Sequence, residues 1–448
     1  METEANNKKS ILEKLGSVSE TAVSRLATIA VAIAFIFPAV IAILAMLIKT
    51  TDFSLAWHML FTQSYVLPVI CIISFVIYIL VFSRAKLENA SLKLIMRKNP
   101  LIIVFSLLVI LMFISQVYNG LGYALGEYFI MQLGETFDME LSYFIFVLFC
   151  GTQVKLEKHK IFLLRVHLLV SMLLVVAGFV LWKNVFDFEL VHIKPDGFVS
   201  IFGNTNYYGY YLAISIPLAG SEFLYEKQKS WKIVAIIAFA ANTVALSLND
   251  TMGSWIGAAF AVIFIAVVHY IIEKKINWKA IILIPVFIIC LVIPGLFTGM
   301  FEKNVTSLAS DVGKIVSGDE NAGNAGSKRW AEWNASLEYI NENKLFGVGF
   351  EGAAYRDDVM IYNFRPHNEF IEYTLFYGIP VGILYFAGCL GVFIRALKKK
   401  KIMDGATLAC LTAAFGYLVS SFFGLTVFST AMFLFFFLGM GYVREKNM

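Results

Sequence analysis

The run WKAIILIPVFIICLVIPGLFT, residues 278–298, carries a single charged side chain, Lys279, in 21 positions. As a helix, a run of that length covers the roughly 30 Å of a bilayer's hydrocarbon core. Its two prolines argue only for kinks, since neighbouring helices can satisfy the carbonyls that a membrane proline frees. Comparable apolar runs stand at 24–48, 62–83, 100–118, 138–154, 161–182, 205–224, 232–249, 251–272, 369–396, 405–423 and 424–443. The sequence therefore predicts an all-α polytopic membrane protein with about twelve transmembrane helices. Composition points the same way. The chain is 59% hydrophobic and 15% charged, with a mean hydropathy of +0.75, whereas soluble proteins carry about 25% charged residues.

The distribution of basic residues orients the helices. With the amino terminus inside and loops assigned alternately, 26 of the 36 Lys and Arg residues fall on the inner side. They cluster at Lys8–Arg25, Arg84–Lys98, Lys155–Arg165, Lys227–Lys232, Lys274–Lys279, Arg395–Lys401 and Arg444–Lys446. Short loops rich in Lys and Arg are retained in the cytoplasm, so both termini are read as cytoplasmic. Residues 1–23 then form a cytoplasmic tail, 24–298 the first nine spans, 299–368 one large external loop, and 369–448 the last three spans with a short inner tail. The first apolar run lacks a small-residue cleavage site and reads as a retained span rather than a signal peptide. Cys71, Cys150, Cys290, Cys389 and Cys410 all lie in or at the ends of spans. The external loop has no cysteine, and so offers neither a disulfide framework nor a thiolate metal site.

That loop is the one long polar stretch. Residues 317–326, SGDENAGNAG, are small and polar, and 299–326 reads as a flexible tether. From Ser327 the pattern becomes helical, with Trp330, Trp333, Leu337 and Ile340 at one-face spacing. This predicts an amphipathic helix over about 327–342, near the outer interface where Trp is favoured. Gly347-Val-Gly349 marks a turn at which backbone can approach another group closely. Asn368 is a good N-cap for the helix that re-enters the membrane.

Among six histidines, His367 alone sits beside an external arginine at the start of a membrane helix. A neutral imidazole accepts a proton near neutral pH, as activation of a hydroxyl requires; the plainer reading is a histidine packed at a helix end. Arg329, Arg356 and Arg365 are the external arginines, and a guanidinium grips phosphate oxygens bidentately. Solvated or headgroup-paired side chains are the plainer reading of these too. Residues 299–368 hold ten acidic against seven basic side chains, so any anion site there is local and not a basic field.

The run Arg329-x-x-x-Trp333, then Leu345-Phe-Gly-Val-Gly349, then His367-Asn368 through Gly378-Ile-Pro380, resembles the O-antigen ligase and polymerase superfamily. Upstream, Gly203-Asn204-Thr-Asn206-Tyr-Tyr-Gly209 resembles that family's glycine-asparagine element at the outer start of a span. The resemblance implies a metal-independent, cofactor-free glycosyltransferase in the bacterial plasma membrane with its active site on the external or periplasmic side. Such an enzyme takes a glycan from a polyprenyl pyrophosphate carrier and passes it to a hydroxyl of a glycan, lipid or protein acceptor. No nucleic-acid partner is implied. Carried over residue by residue, His367 is the catalytic base and Arg329 a donor-pyrophosphate ligand. Arg365 joins Arg329 by position, and Asn204, Asn206, Trp333 and Asn368 are candidates for shaping the substrate site. Asn204 and Asn206 read equally well as helix caps. One departure stands out: the family's Ser-Arg-Gly element reads Thr251-Met252-Gly253 here, without the basic residue. A twelve-span transporter or lipid-linked oligosaccharide flippase is the alternative. Ligase and polymerase share this donor chemistry, and the sequence does not separate them.

Overall fold

The computed structural model describes residues 20–48, 100–120, 137–154, 156–185, 198–318, 322–350, 352 and 365–443. The expected second span at 62–83, the amino-terminal tail to residue 19 and Arg356 lie outside the described residues. Fourteen α-helices occur among those described, and no strand. They are α1 (Glu20–Ile48), α2 (Pro100–Asn119), α3 (Phe137–Gln153), α4 (Glu157–Val185), α5 (Thr205–Tyr225), α6 (Lys229–Leu248) and α7 (Met252–Glu273), followed by α8 (Trp278–Phe297), α9 (Met300–Ser317), α10 (Arg329–Glu342), α11 (Glu369–Tyr377), α12 (Ile379–Lys398), α13 (Gly405–Ser420) and α14 (Phe428–Met440).

Seven of these, α1, α4, α6, α7, α8, α12 and α13, are long and apolar enough to cross a membrane. Shorter apolar helices lie within α2, α3 and α14. The outward faces are what lipid requires. Ile281, Ile288, Ile289, Ile293 and Leu296 of α8 are all exposed, a continuous apolar surface that water would not tolerate on a folded monomer. The protein is an integral membrane protein.

α5 is the central helix and is buried over almost its whole length from Tyr207 to Glu222. Small residues let its neighbours close in. A Cβ on Gly416 of α13 would lie 2.2 Å from the Ala213 carbonyl of α5, and one on Gly257 of α7 would lie 2.6 Å from the Gly416 carbonyl. Backbones approach this closely where side chains shrink, and hydroxyl pairs then bridge the helices. Ser221 and Thr412 pair at 2.8 Å, Ser254 and Ser420 at 3.2 Å. On the other side of α5, Phe433 and Phe437 of α14 pack with Phe35 of α1 and His167 of α4.

Polar contacts sort the loops into two ends. At one end Arg165 pairs with Glu226 at 2.8 Å, Lys160 with Asp404 at 3.7 Å, Lys400 reaches the Ile271 carbonyl at 3.0 Å and Arg395 the Val443 carbonyl at 2.7 Å. Burial pushes the Glu226 carboxyl up, but N–H groups of Gln228 and Lys227 and the Arg165 guanidinium outweigh it and hold it below its ordinary value. At the other end Lys303 pairs with Asp250, and Trp333 reaches Pro366.

Two segments depart from the expected layout. Residues 300–317 are no tether but helix α9, whose Phe301, Val305, Leu308, Val312 and Ile315 line one face. Four of these, Val305, Leu308, Val312 and Ile315, are exposed. That amphipathic pattern suits a helix lying in the interface plane, the role the sequence suggested for 327–342. In α10, by contrast, Ile340 is buried, Leu337 is exposed and the Trp333 indole turns inward.

The second departure is a break in the apolar run 369–396. It divides at Gly378 into α11 and α12, because Gly378 takes φ +89°. The segment 344–349 docks on this break. Val348 and Gly349 donate to the Leu375 and Phe376 carbonyls at 2.9 Å each, and Ile379 donates to the Lys344 carbonyl at 2.8 Å. These bonds satisfy carbonyls that the end of α11 would otherwise leave bare. Both glycines of 347–349 are required by contact: a Cβ on Gly347 would lie 2.5 Å from the Leu375 carbonyl, and one on Gly349 2.8 Å from Asn119 Cβ.

Gly378→Ala is accordingly expected to destabilise strongly. Its backbone conformation alone costs a side-chain residue about 1–3 kcal/mol, and the new Cβ would lie 2.3 Å from the Leu345 carbonyl. Gly313→Ala on α9, where nothing outside its own helix lies within 4 Å, is the control and is expected to be neutral or mildly stabilising. Thermal unfolding in detergent followed by size-exclusion chromatography checks the pair, and equal melting temperatures would contradict the account.

Candidate functional site

The site lies where α10, the turn 365–368, α11 and the segment 421–427 meet. The turn begins with Arg365, 4% exposed, whose guanidinium pairs with Glu372 of α11 and donates to the Thr426 carbonyl at 3.0 Å. Pro366 follows, and its carbonyl accepts the Trp333 indole N–H at 2.7 Å. His367 takes φ +48°, a left-handed conformation in which His is several-fold enriched over most side chains. Asn368 then caps α11, its side-chain oxygen accepting from the N–H groups of Phe370 and Ile371 at 3.1 Å each. The His-Asn pair thus has a local logic: one residue makes the left-handed corner, the next starts the helix.

The corner fixes the imidazole. His367 Nδ1 lies 3.0 Å from the Arg365 carbonyl oxygen. A carbonyl can only accept, so Nδ1 carries the hydrogen and, in the neutral ring, Nε2 holds the free lone pair. Glu332 of α10 brings Oε2 to 3.3 Å from the same Nδ1. The His367 side chain is 31% exposed, and its Nδ1 edge is held by protein. Such a ring can take a proton at Nε2 from a hydroxyl placed outside it.

Arg329 opens α10, half-buried, one turn before Glu332 and Trp333. Its guanidinium is within electrostatic reach of the Tyr210 phenol on α5. Tyr210 is itself clasped by the segment after α13, where a Cβ on Gly424 would lie 2.0 Å from the phenol oxygen. That same segment carries Phe423, whose ring lies 6.5 Å from that of Trp333, and Thr426, which receives Arg365. The residues 423–426 therefore tie α5, α10 and the 365–368 turn together.

Among the sequence candidates, the structure brings His367, Arg365, Asn368 and Trp333 into one cluster, with Arg329 on the same helix as Trp333. Asn204 is the N-cap of α5, its side chain accepting from the Asn206 N–H at 2.8 Å. No described contact joins Asn204 or Asn206 to His367. Met252 is the first residue of α7, and two residues before it Asp250 is paired with Lys303 of α9, so a basic group does reach this end of α7. Glu332, Tyr210 and the 423–426 segment were not singled out from sequence. Among the described residues no three His, Cys, Asp or Glu side chains converge as metal ligands would.

α11 and its neighbours carry further buried polar contacts behind the turn. Glu369 accepts from the Tyr385 hydroxyl at 2.8 Å, and Glu140 of α3 accepts from the Tyr377 hydroxyl at 2.5 Å. Beside α11 an apolar groove of about 290 Å³ runs between α7, α12 and α13. It extends from Phe370 and Phe422, next to the turn, to Leu397 and Met403 at the opposite end.

No curated protein matches the chain. Residues 235–386, which begin in α6 and run through the turn into α12, match the family model described as O-antigen ligase. The motifs quoted between Arg329 and Pro380 fall inside this match, and both support placing these residues with the O-antigen ligase and polymerase superfamily.

Proposed function

We propose that this protein transfers a glycan from a polyprenyl pyrophosphate carrier to an acceptor hydroxyl at the external face of a bacterial plasma membrane. The observation that carries the reading is the His367 corner. Nδ1–H is committed to the Arg365 carbonyl, which leaves Nε2 as the basic atom of a partly exposed ring. In the reaction, the acceptor hydroxyl gives its proton to Nε2 as its oxygen bonds to the anomeric carbon. The bond from that carbon to the pyrophosphate oxygen breaks, and polyprenyl pyrophosphate leaves with its electron pair.

Arg329 is the donor ligand in this reading. It is half-buried at the site, and its fixed charge suits the growing charge on the leaving pyrophosphate. Arg365, assigned the same task from sequence, is enclosed and engaged with Glu372 and Thr426; its part is to hold the corner. The groove from Phe370 to Met403 suits the carrier's hydrocarbon tail, since its wall is apolar throughout and its upper end adjoins the turn. The positive-inside distribution supports twelve spans with both termini cytoplasmic, which puts the corner outside.

The test is transfer in proteoliposomes, using lipid-linked glycan extracted from a strain lacking the gene. Formation of a new glycosidic bond supports the reading, whereas movement of labelled glycan across the bilayer without bond formation overturns it. Arg329→Ala is expected to raise the donor KM about 10- to 150-fold, corresponding to a lost charge-assisted contact of about 1.5–3 kcal/mol, and to leave the acceptor KM unchanged. An unaltered donor KM removes Arg329 from the donor site. The deletion strain separates the two branches: single units still attached indicate a polymerase, while carrier-bound long chains with none attached indicate a ligase.

A further inference from the structure

We infer that Glu332 is the positioning residue of His367, orienting the imidazole and stabilising the imidazolium that forms during transfer. The inference rests on the base role proposed above. Two adjacent residues of α10 grip two adjacent residues of the turn: the Trp333 indole donates to the Pro366 carbonyl at 2.7 Å, and Glu332 Oε2 lies 3.3 Å from His367 Nδ1. Side chains of consecutive helical residues diverge by about 100°. Both reach the turn only because it lies across this part of α10, so helix and corner are tied at two points.

The Glu332–His367 contact differs from an ordinary surface ion pair. Although the Glu332 side chain as a whole is 24% exposed, Oε2 is shut off from solvent and has no hydrogen-bond partner among the described residues. The Nδ1–H is already given to the Arg365 carbonyl, so the Glu332 contact is one of charge: a covered carboxylate oxygen held 3.3 Å from the ring nitrogen. The charges on the turn and α11 are engaged elsewhere. Arg365 is held by Glu372 and Thr426, and Glu369 accepts from Tyr385.

The chemistry follows from when charge appears. In the neutral ring the Arg365 carbonyl and the Glu332 carboxylate both lie on the Nδ1 side and together favour hydrogen there and the lone pair on Nε2. As Nε2 takes the acceptor proton the ring becomes cationic, and its attraction to the Glu332 carboxylate grows. An interaction stronger in the transition state than in the ground state raises kcat and leaves KM largely alone. The same division of labour between a base and an orienting carboxylate operates in hydrolase triads.

Two substitutions test this in the proteoliposome assay. Glu332→Gln keeps the size and an accepting oxygen but removes the charge; Glu332→Asp keeps the charge with a shorter reach. We expect Gln to lower kcat roughly 10- to 100-fold, a part of the about 10²–10⁴-fold that a general base supplies, with both KM values within about two-fold. Asp should retain more activity than Gln. A Gln variant with near-wild-type kcat overturns the inference. So does the reverse order, Gln better than Asp, because packing favours the isostere whereas charge stabilisation does not. His367→Asn in the same assay separates the two levels. If it transfers normally, the base reading itself is wrong; if it is inactive while Glu332→Gln is normal, only the Glu332 role falls.

Discussion

His367→Asn is expected to abolish measurable transfer, lowering the rate by about 10²–10⁴-fold, in a protein that still inserts and unfolds at nearly the wild-type temperature. Asparagine is chosen over alanine for a backbone reason. Position 367 sits at φ +48°, where Asn is tolerated and where alanine adds strain of its own. An alanine variant would mix a lost base with a distorted corner, and the corner also carries the Trp333–Pro366 contact and the α11 cap. With Asn those should survive, so the loss reads as chemistry. The KM values for donor and acceptor should change little, because the ring acts on a proton that moves only in the transition state. Wild-type product formation by a correctly inserted Asn variant would remove His367 from the reaction.

The membrane class was legible because hydropathy along a helix is a local property, and each apolar run from 100–118 onwards appears as helix. The corner was legible in part. Asn368 at the start of a run and glycines at 347 and 349 are local signals, and they mark a cap and a close backbone approach. Glu332 was hidden by its separation of 35 residues from His367, as nothing in an α10 reading says which of its acidic residues faces the turn. Tyr210 and the 423–426 segment were hidden more deeply, since their convergence depends on how α5 and α13 pack. For α9 the signal is local. Residues 301, 305, 308, 312 and 315 repeat at helical spacing, and the acidic, small-residue stretch that follows them masks that period. The break at Gly378 reads from sequence like any membrane kink; its φ of +89° and the docking of 344–349 are tertiary facts.

Arg365→Ala should behave quite differently from Arg329→Ala, although both delete a guanidinium from the same external region. Arg365 is buried, and its Nη2 serves the Glu372 carboxylate on α11 and the Thr426 carbonyl on the segment before α14. Removing one partner of a buried pair leaves the other charge uncompensated and costs about 3–5 kcal/mol. The expected result is a marked fall in melting temperature or in the yield of folded protein, with whatever folded fraction remains showing an unchanged donor KM. Both contacts come from the one nitrogen Nη2, so lysine, a point charge with three donors, is expected to rescue stability in part. A double variant, Arg365→Met with Glu372→Leu, removes both charges together and should recover stability relative to Arg365→Ala, since replacing a buried pair by apolar side chains of similar volume is often neutral or better. If Arg365→Ala instead melts like wild type and raises the donor KM, the guanidinium belongs to the pyrophosphate site, as position in the sequence alone suggested. The opposite pattern assigns it to the strut that holds His367 in place, and leaves Arg329 as the charge that meets the donor.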